Sequence, residues 1–213
     1  MKLFQYHHCP YCVRADMVAN YKNVSHEKVY LLNDDEQSCY DLIDAKVVPI
    51  LQFDDGSVMK ESLDIVLKLN ELGDKSKVIT AKNKWHEYEQ LFADVKPSTR
   101  ILTYPRTILI GLPEFATQSA KDYFQAKKEA MIDMPFEQAI IESAQHIELV
   151  NGLLAKLPEL AINETLAMDD VLLFPMLRNL SMVKGLRFQQ QTLLYMQHIA
   201  TLTQSELYFS KAL

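Results

Sequence analysis

Over the first 72 residues the spacing of apolar positions changes several times. Leu3 to Tyr6 is a short, largely apolar run of strand character, and from Pro10 onward Val13, Met17 and Tyr21 recur at helical spacing. Lys28-Val29-Tyr30-Leu31-Leu32 has the β-branched and aromatic content of a second strand. Asn33, with Glu36 three positions later, reads as the capping box of a second helix ending near Ala45-Lys46. Val47 to Phe53 and Ser57 to Lys60 then flank Asp54-Asp55-Gly56, the turn signal of an antiparallel hairpin. A third helix from Ser62 carries Ile65, Leu69 and Leu72 on one face and stops at Gly73, a left-handed C-cap candidate. The predicted order is βαβαββα, a small α/β unit over residues 1–72.

Residues 73–80 turn polar at Asp74-Lys75-Ser76-Lys77 and read as a linker. Beyond them no strand pattern is visible, and residues 81–213 read as an all-helical domain. Trp85, Tyr88, Phe92 and Val95 mark its first helix, and Phe136, Ile140, Ile147 and Leu154 a long third one opened by Pro135. Pro97, Pro105, Pro113 and Pro158 punctuate the series. Asp169-Asp170 begins the apolar run Val171-Leu172-Leu173-Phe174-Pro175-Met176-Leu177, whose internal proline should kink the helix or break one backbone bond. A helix so uniformly apolar is expected to be buried.

Composition narrows the picture. A chain of 213 residues with 48% hydrophobic content can bury the core of one ordinary domain or two small ones. The net charge is -6 and the basic residues are scattered, which leaves no electrostatic footprint for nucleic acid or an anionic membrane. Three cysteines do not make a disulfide framework. Met1-Lys2-Leu3 leads into a short strand ending at His7-His8, too short and polar for a signal peptide, and no later run approaches membrane-spanning length. The expected location is cytoplasmic.

Candidate chemistry lies at Cys9-Pro10-Tyr11-Cys12. Two cysteines at this spacing on a strand-to-helix turn put the first thiol on the exposed first turn and the second behind it. Pro10 suits the first helical position, whereas a metal knuckle prefers small, flexible residues. The helix N-terminus favours the thiolate of Cys9, and a thiolate is a nucleophile. His7 and His8 raise a metal alternative, but neighbouring strand side chains point to opposite faces, so at most one can join both thiols; no metal site is expected. Cys39 reads as a small buried or half-buried residue. Trp85 and the methionines read as packing, and the other histidines show no ligand spacing.

A βαβαββα unit with Cys-Pro-Tyr-Cys after its first strand resembles the thioredoxin-like fold, and Pro-Tyr between the cysteines resembles glutaredoxins. Val48-Pro49 stands where that fold places a cis-proline facing the reactive cysteine. With the helical second half, the whole resembles glutathione transferases. Leu31-Leu32-Asn33-Asp34-Asp35, Val48-Pro49-Ile50-Leu51, Glu61-Ser62-Leu63-Asp64-Ile65-Val66 and Leu173-Phe174-Pro175-Met176-Leu177-Arg178-Asn179-Leu180 resemble the bacterial glutaredoxin 2 family over nearly the full chain. One departure is Ala167, where such folds often carry Ser or Thr three residues before the aspartate, here Asp170; the cap should be weaker.

The resemblance implies a glutathione-dependent thiol–disulfide oxidoreductase that acts on glutathione mixed disulfides and protein disulfides. Cys9 and Cys12 would be its catalytic pair, and Tyr11, Val48, Pro49, Glu61 and Ser62 would bind glutathione. Glutathione would serve as reducing co-substrate, with no bound cofactor, and a monomer is expected. Two other readings stay open: an omega-type transferase or dehydroascorbate reductase using Cys9 alone, and a non-catalytic glutathione-binding module.

Overall fold

The computed structural model describes residues 1–81 and 84–213. Its first half runs β1 (Lys2–Gln5), α1 (Pro10–Tyr21), β2 (Glu27–Tyr30), α2 (Gln37–Ile43), β3 (Ile50–Gln52), β4 (Val58–Met59) and α3 (Ser62–Leu72), the predicted βαβαββα order. The four strands form one sheet in the order β2-β1-β3-β4. β1 is parallel to β2 and antiparallel to β3, with Phe4 opposite both Val29 and Ile50. A parallel neighbour needs a crossover, which α1 supplies.

The pleat divides the sheet's side chains between two cores. Leu3 and Leu51 pack with Met17, Val18, Ile65 and Leu69 of α1 and α3. Phe4 and Ile50 face the other way, into a smaller cluster with Tyr6, Leu31 and the fully buried Cys39. Gly73, at the end of α3, has an ordinary φ of -81°, so it is not the predicted left-handed cap. Close approach explains it instead: a Cβ there would lie 2.5 Å from Lys22 Cβ. The start of α2 also differs. It begins at Gln37 and is held by Asp35, which accepts from the Ser38 amide at 3.0 Å, while the Asn33 N–H goes to the Glu114 carbonyl.

The second half contains α4 (Trp85–Thr107), α5 (Gln118–Ile132), α6 (Phe136–Ile141), α7 (Ser143–Leu154), α8 (Met168–Leu180) and α9 (Gln190–Leu202). α8 is the buried helix expected from its composition. It packs against α1, α4 and α9 with Val171, Leu173, Phe174 and Leu177 almost fully enclosed. Asp170 accepts from the Ala167 N–H at 2.8 Å, but Ala167 has no oxygen with which to complete the box. Pro97 and Pro105 do not end a helix, since α4 runs through both. An internal proline costs ~3 kcal/mol, and burial of residues such as Phe92, Ile101 and Leu102 along α4 offsets it.

The helix predicted from Pro135 is two helices, divided at Glu142 (φ -82°, ψ 5°), where Ser143 Oγ turns back to the Ala139 carbonyl. The polar stretch 73–80 holds a strand as well: β5 (Ile79–Thr80) pairs in parallel with β6 (Leu166–Ala167) just before α8. Strands of two residues carry no periodic signal. Among the described residues no helix is long and apolar enough to cross a membrane.

Candidate active site

Cys9 is the N-cap of α1, in extended conformation with φ -69° and ψ 119°, and Pro10 occupies the first helical position. Its fixed φ and absent N–H fit that position without loss. Cys9 is partly exposed, whereas Cys12, one turn in, is fully buried; both are free thiols. The Tyr6 N–H donates to Cys12 Sγ at 3.4 Å. A hydrogen bond from the Cys12 thiol, helped by His8 and the amides of Cys12 and Tyr11, outweighs burial and brings the Cys9 thiol down to about 6. Burial, with the charge on Cys9, pushes Cys12 well up. At neutral pH one sulfur is an accessible thiolate and the other a proton-bearing donor behind it.

The turn between β1 and α1 is gripped by the second half of the chain. The Glu114 carboxylate, fully buried, accepts from the His8 N–H at 2.9 Å and lies 2.5 Å from His8 Nδ1. Burial works against this charge, but the bonds to His8 hold the Glu114 carboxyl below its usual value. His7 faces a different set. Arg178 donates to the His7 carbonyl at 3.0 Å and stacks on the Tyr208 ring, whose hydroxyl is 2.9 Å from His7 Nδ1. Asn179 donates to the His8 carbonyl at 3.0 Å.

Beside Cys9 opens a cavity of about 550 Å³ between the two halves of the chain. Tyr11 and Val48 line it, with Tyr11 54% exposed. The Val48–Pro49 peptide is cis; Pro49 is buried at the start of β3 and does not line the cavity. Glu61 and Ser62 stand at the start of α3, outside the lining, with Glu61 exposed and Ser62 buried. Among the described residues no group of three or more His, Cys, Asp or Glu converges on a metal position.

Sequence reasoning missed Glu114, Arg178 and the basic residues of the cavity wall. A charge inside an otherwise apolar helix was a usable sign for Arg178, because a buried guanidinium must be bonded. Glu114 sits in the short run Leu112-Pro113-Glu114-Phe115, which gave little warning.

Residues 87–212 match the family model for the C-terminal domain of glutaredoxin 2, and residues 3–77 that for the N-terminal domain of glutathione S-transferases. The chain is 36% identical to glutaredoxin 2 of Escherichia coli K12 over the full length of both. It belongs to the glutaredoxin 2 family. With that membership it is a glutathione-dependent thiol–disulfide oxidoreductase built on the glutathione-transferase fold. The crystal structure of glutaredoxin 2 from Salmonella typhimurium in complex with glutathione superimposes with a TM-score of 0.89 at 34% identity, covering 100% of this chain and 98% of that one. A glutathione S-transferase from Methylobacillus flagellatus, 16% identical with a TM-score of 0.53 over 99% of this chain and 98% of its own, shares the fold.

Proposed function

We propose that this glutaredoxin 2 family member reduces glutathione mixed disulfides and protein disulfides, with Cys9 as nucleophile and Cys12 as its supporting and resolving thiol. The observation that carries this reading is the accessible, ionised Cys9 backed by the buried, protonated Cys12. The Cys9 thiolate attacks the glutathione sulfur of a mixed disulfide, and the protein thiolate leaves and takes a proton from solvent. A second glutathione thiolate then attacks the glutathione sulfur on Cys9, giving glutathione disulfide and restoring the Cys9 thiolate. With a protein disulfide, Cys12 loses its proton and displaces the substrate thiol from Cys9. The Cys9–Cys12 disulfide so formed is reduced by two glutathione molecules.

Glutathione lies along Val48, whose backbone pairs with its cysteinyl part as an added strand would, beside Tyr11 and Pro49. Its γ-glutamyl carboxylate meets the N-terminus of α3 at Ser62, and its ammonium pairs with Glu61. The φ of +74° at Glu61 supports this role, since non-glycine residues hold that conformation at a cost and such positions cluster at ligand sites. The enzyme acts as a cytoplasmic monomer on glutathionylated and disulfide-bearing proteins, without nucleic acid, membrane or bound cofactor; sedimentation reads the monomer directly.

The decisive assay is glutathione-dependent reduction of the mixed disulfide between glutathione and hydroxyethyl thiol. Cys9→Ser should abolish turnover. Cys12→Ser should retain part of it while losing reduction of protein disulfides. Full activity of Cys12→Ser on both substrates would instead favour single-cysteine chemistry, and an inactive wild type a binding module. Glu61→Ala should raise the KM for glutathione; an unchanged KM would remove Glu61 from the site.

A further inference from the structure

The chain carries a net charge of -6, yet the cavity beside Cys9 is lined by Lys46, Lys96, Arg100, Lys127 and Lys128 and by no Asp or Glu. Two of these cations are engaged within the protein. Lys127 pairs with Glu36 at 3.3 Å, and Lys46 donates to the Asp35 carbonyl at 2.7 Å. The other three lack a carboxylate partner among the described residues. Lys96 and Arg100 are four residues apart on α4 and therefore share a helix face. Lys128, from α5, lies over the rings of Tyr104 at 4.9 Å and Phe124 at 5.4 Å, and near enough to Cys9 to sense its charge. It is half-buried, so its ammonium has given up part of its hydration for the faces of these rings. A pocket wall of one charge sign, floored by aromatic rings, attracts an anion with an apolar body.

We infer that Lys96, Arg100 and Lys128, with Tyr104 and Phe124, form a subsite for the non-glutathione half of the mixed disulfide, and that it selects thiols carrying a carboxylate on an aromatic body. The inference rests on the proposed glutathione site, in which glutathione occupies the Val48 side of the cavity and reaches beyond its lining to Glu61. That side belongs to the sheet half, which leaves the α4–α5 wall to the leaving thiol. No extra catalytic step is involved. The cations hold the substrate's carboxylate while Cys9 attacks the glutathione sulfur.

Unreactive conjugates test this without turnover. Calorimetry of the wild-type protein should show S-(para-carboxybenzyl)glutathione binding about tenfold more tightly than S-benzylglutathione. In an Arg100→Gln, Lys128→Gln double variant that ratio should fall to near one. A wild-type ratio of one, or a preference that survives in the double variant, overturns the subsite. Equal weakening of both conjugates leaves the ratio intact and counts with the second outcome. The hydroxyethyl disulfide assay decides the glutaredoxin reading on its own, so an inactive enzyme that still discriminates between the conjugates would separate the two claims.

Discussion

His7 and His8 are neighbours in the chain with opposite surroundings. His7 turns toward α8 and the C-terminal segment, where burial and then the Arg178 guanidinium push its imidazole down to about 4 despite Glu206 nearby. His8 turns toward the Pro113–Phe115 turn, where a buried carboxylate meets it. One imidazole is therefore kept neutral as an acceptor beside a cation, and the other lies against an anion and next to Cys9. The strand expected to carry both residues ends at Gln5, and it is the turn after it that sends the two rings to opposite sides, His7 to Tyr208 and His8 to Glu114. The helical half thus grips the turn before α1 from two sides with opposite charges and tunes Cys9 through only one of them.

Removing the cationic side should have the largest effect. Arg178→Met strips the His7 and Glu206 carbonyls of their buried donor and should lower stability by about 3 kcal/mol, read from the urea midpoint. A midpoint within experimental error of wild type would mean that Arg178 does not clamp the turn. Next comes pH. The unfolded imidazole takes a proton near ~6.5 while the folded one refuses it until about 4, so the unfolded chain binds more protons in that window. Stability present above ~6.5 should therefore be lost as pH falls toward about 4, by on the order of 2 kcal/mol. His7→Gln should flatten this slope relative to wild type; parallel curves would show that His7 is not held neutral.

The anionic side should give the smallest change and the most specific one. Glu114→Gln keeps an acceptor for the His8 amide but removes the charge. The Cys9 thiol, at about 6 in the wild type, should titrate roughly half a unit to one unit higher by its ultraviolet thiolate absorbance. If Arg178→Met moves that titration as far as Glu114→Gln does, the division of labour between the two sides fails.

The position of Cys9 at the start of α1 was legible because its determinants are local. A strand, a Pro at the first helical position and a second cysteine one turn on are all readable over ten residues, and so was the burial of α8 from its unbroken apolar run. The Asn33–Glu36 box failed because Asn33 is drawn to Glu114, a partner 81 positions away that offers its backbone carbonyl. The continuity of α4 through Pro97 and Pro105, and the break at Glu142, were likewise settled by packing against other helices.

The sequence by itself determined the order of elements in the sheet half, the site of the thiolate and the depth of α8, because helix ends, turn residues and apolar period act within a few residues of one another. Only the tertiary structure decided what surrounds that thiolate. Glu114, Arg178 and the lysines and arginine of the cavity wall lie roughly 40 to 170 residues from Cys9 along the chain, and Coulomb forces depend on distance in space, with no periodic trace left in the sequence.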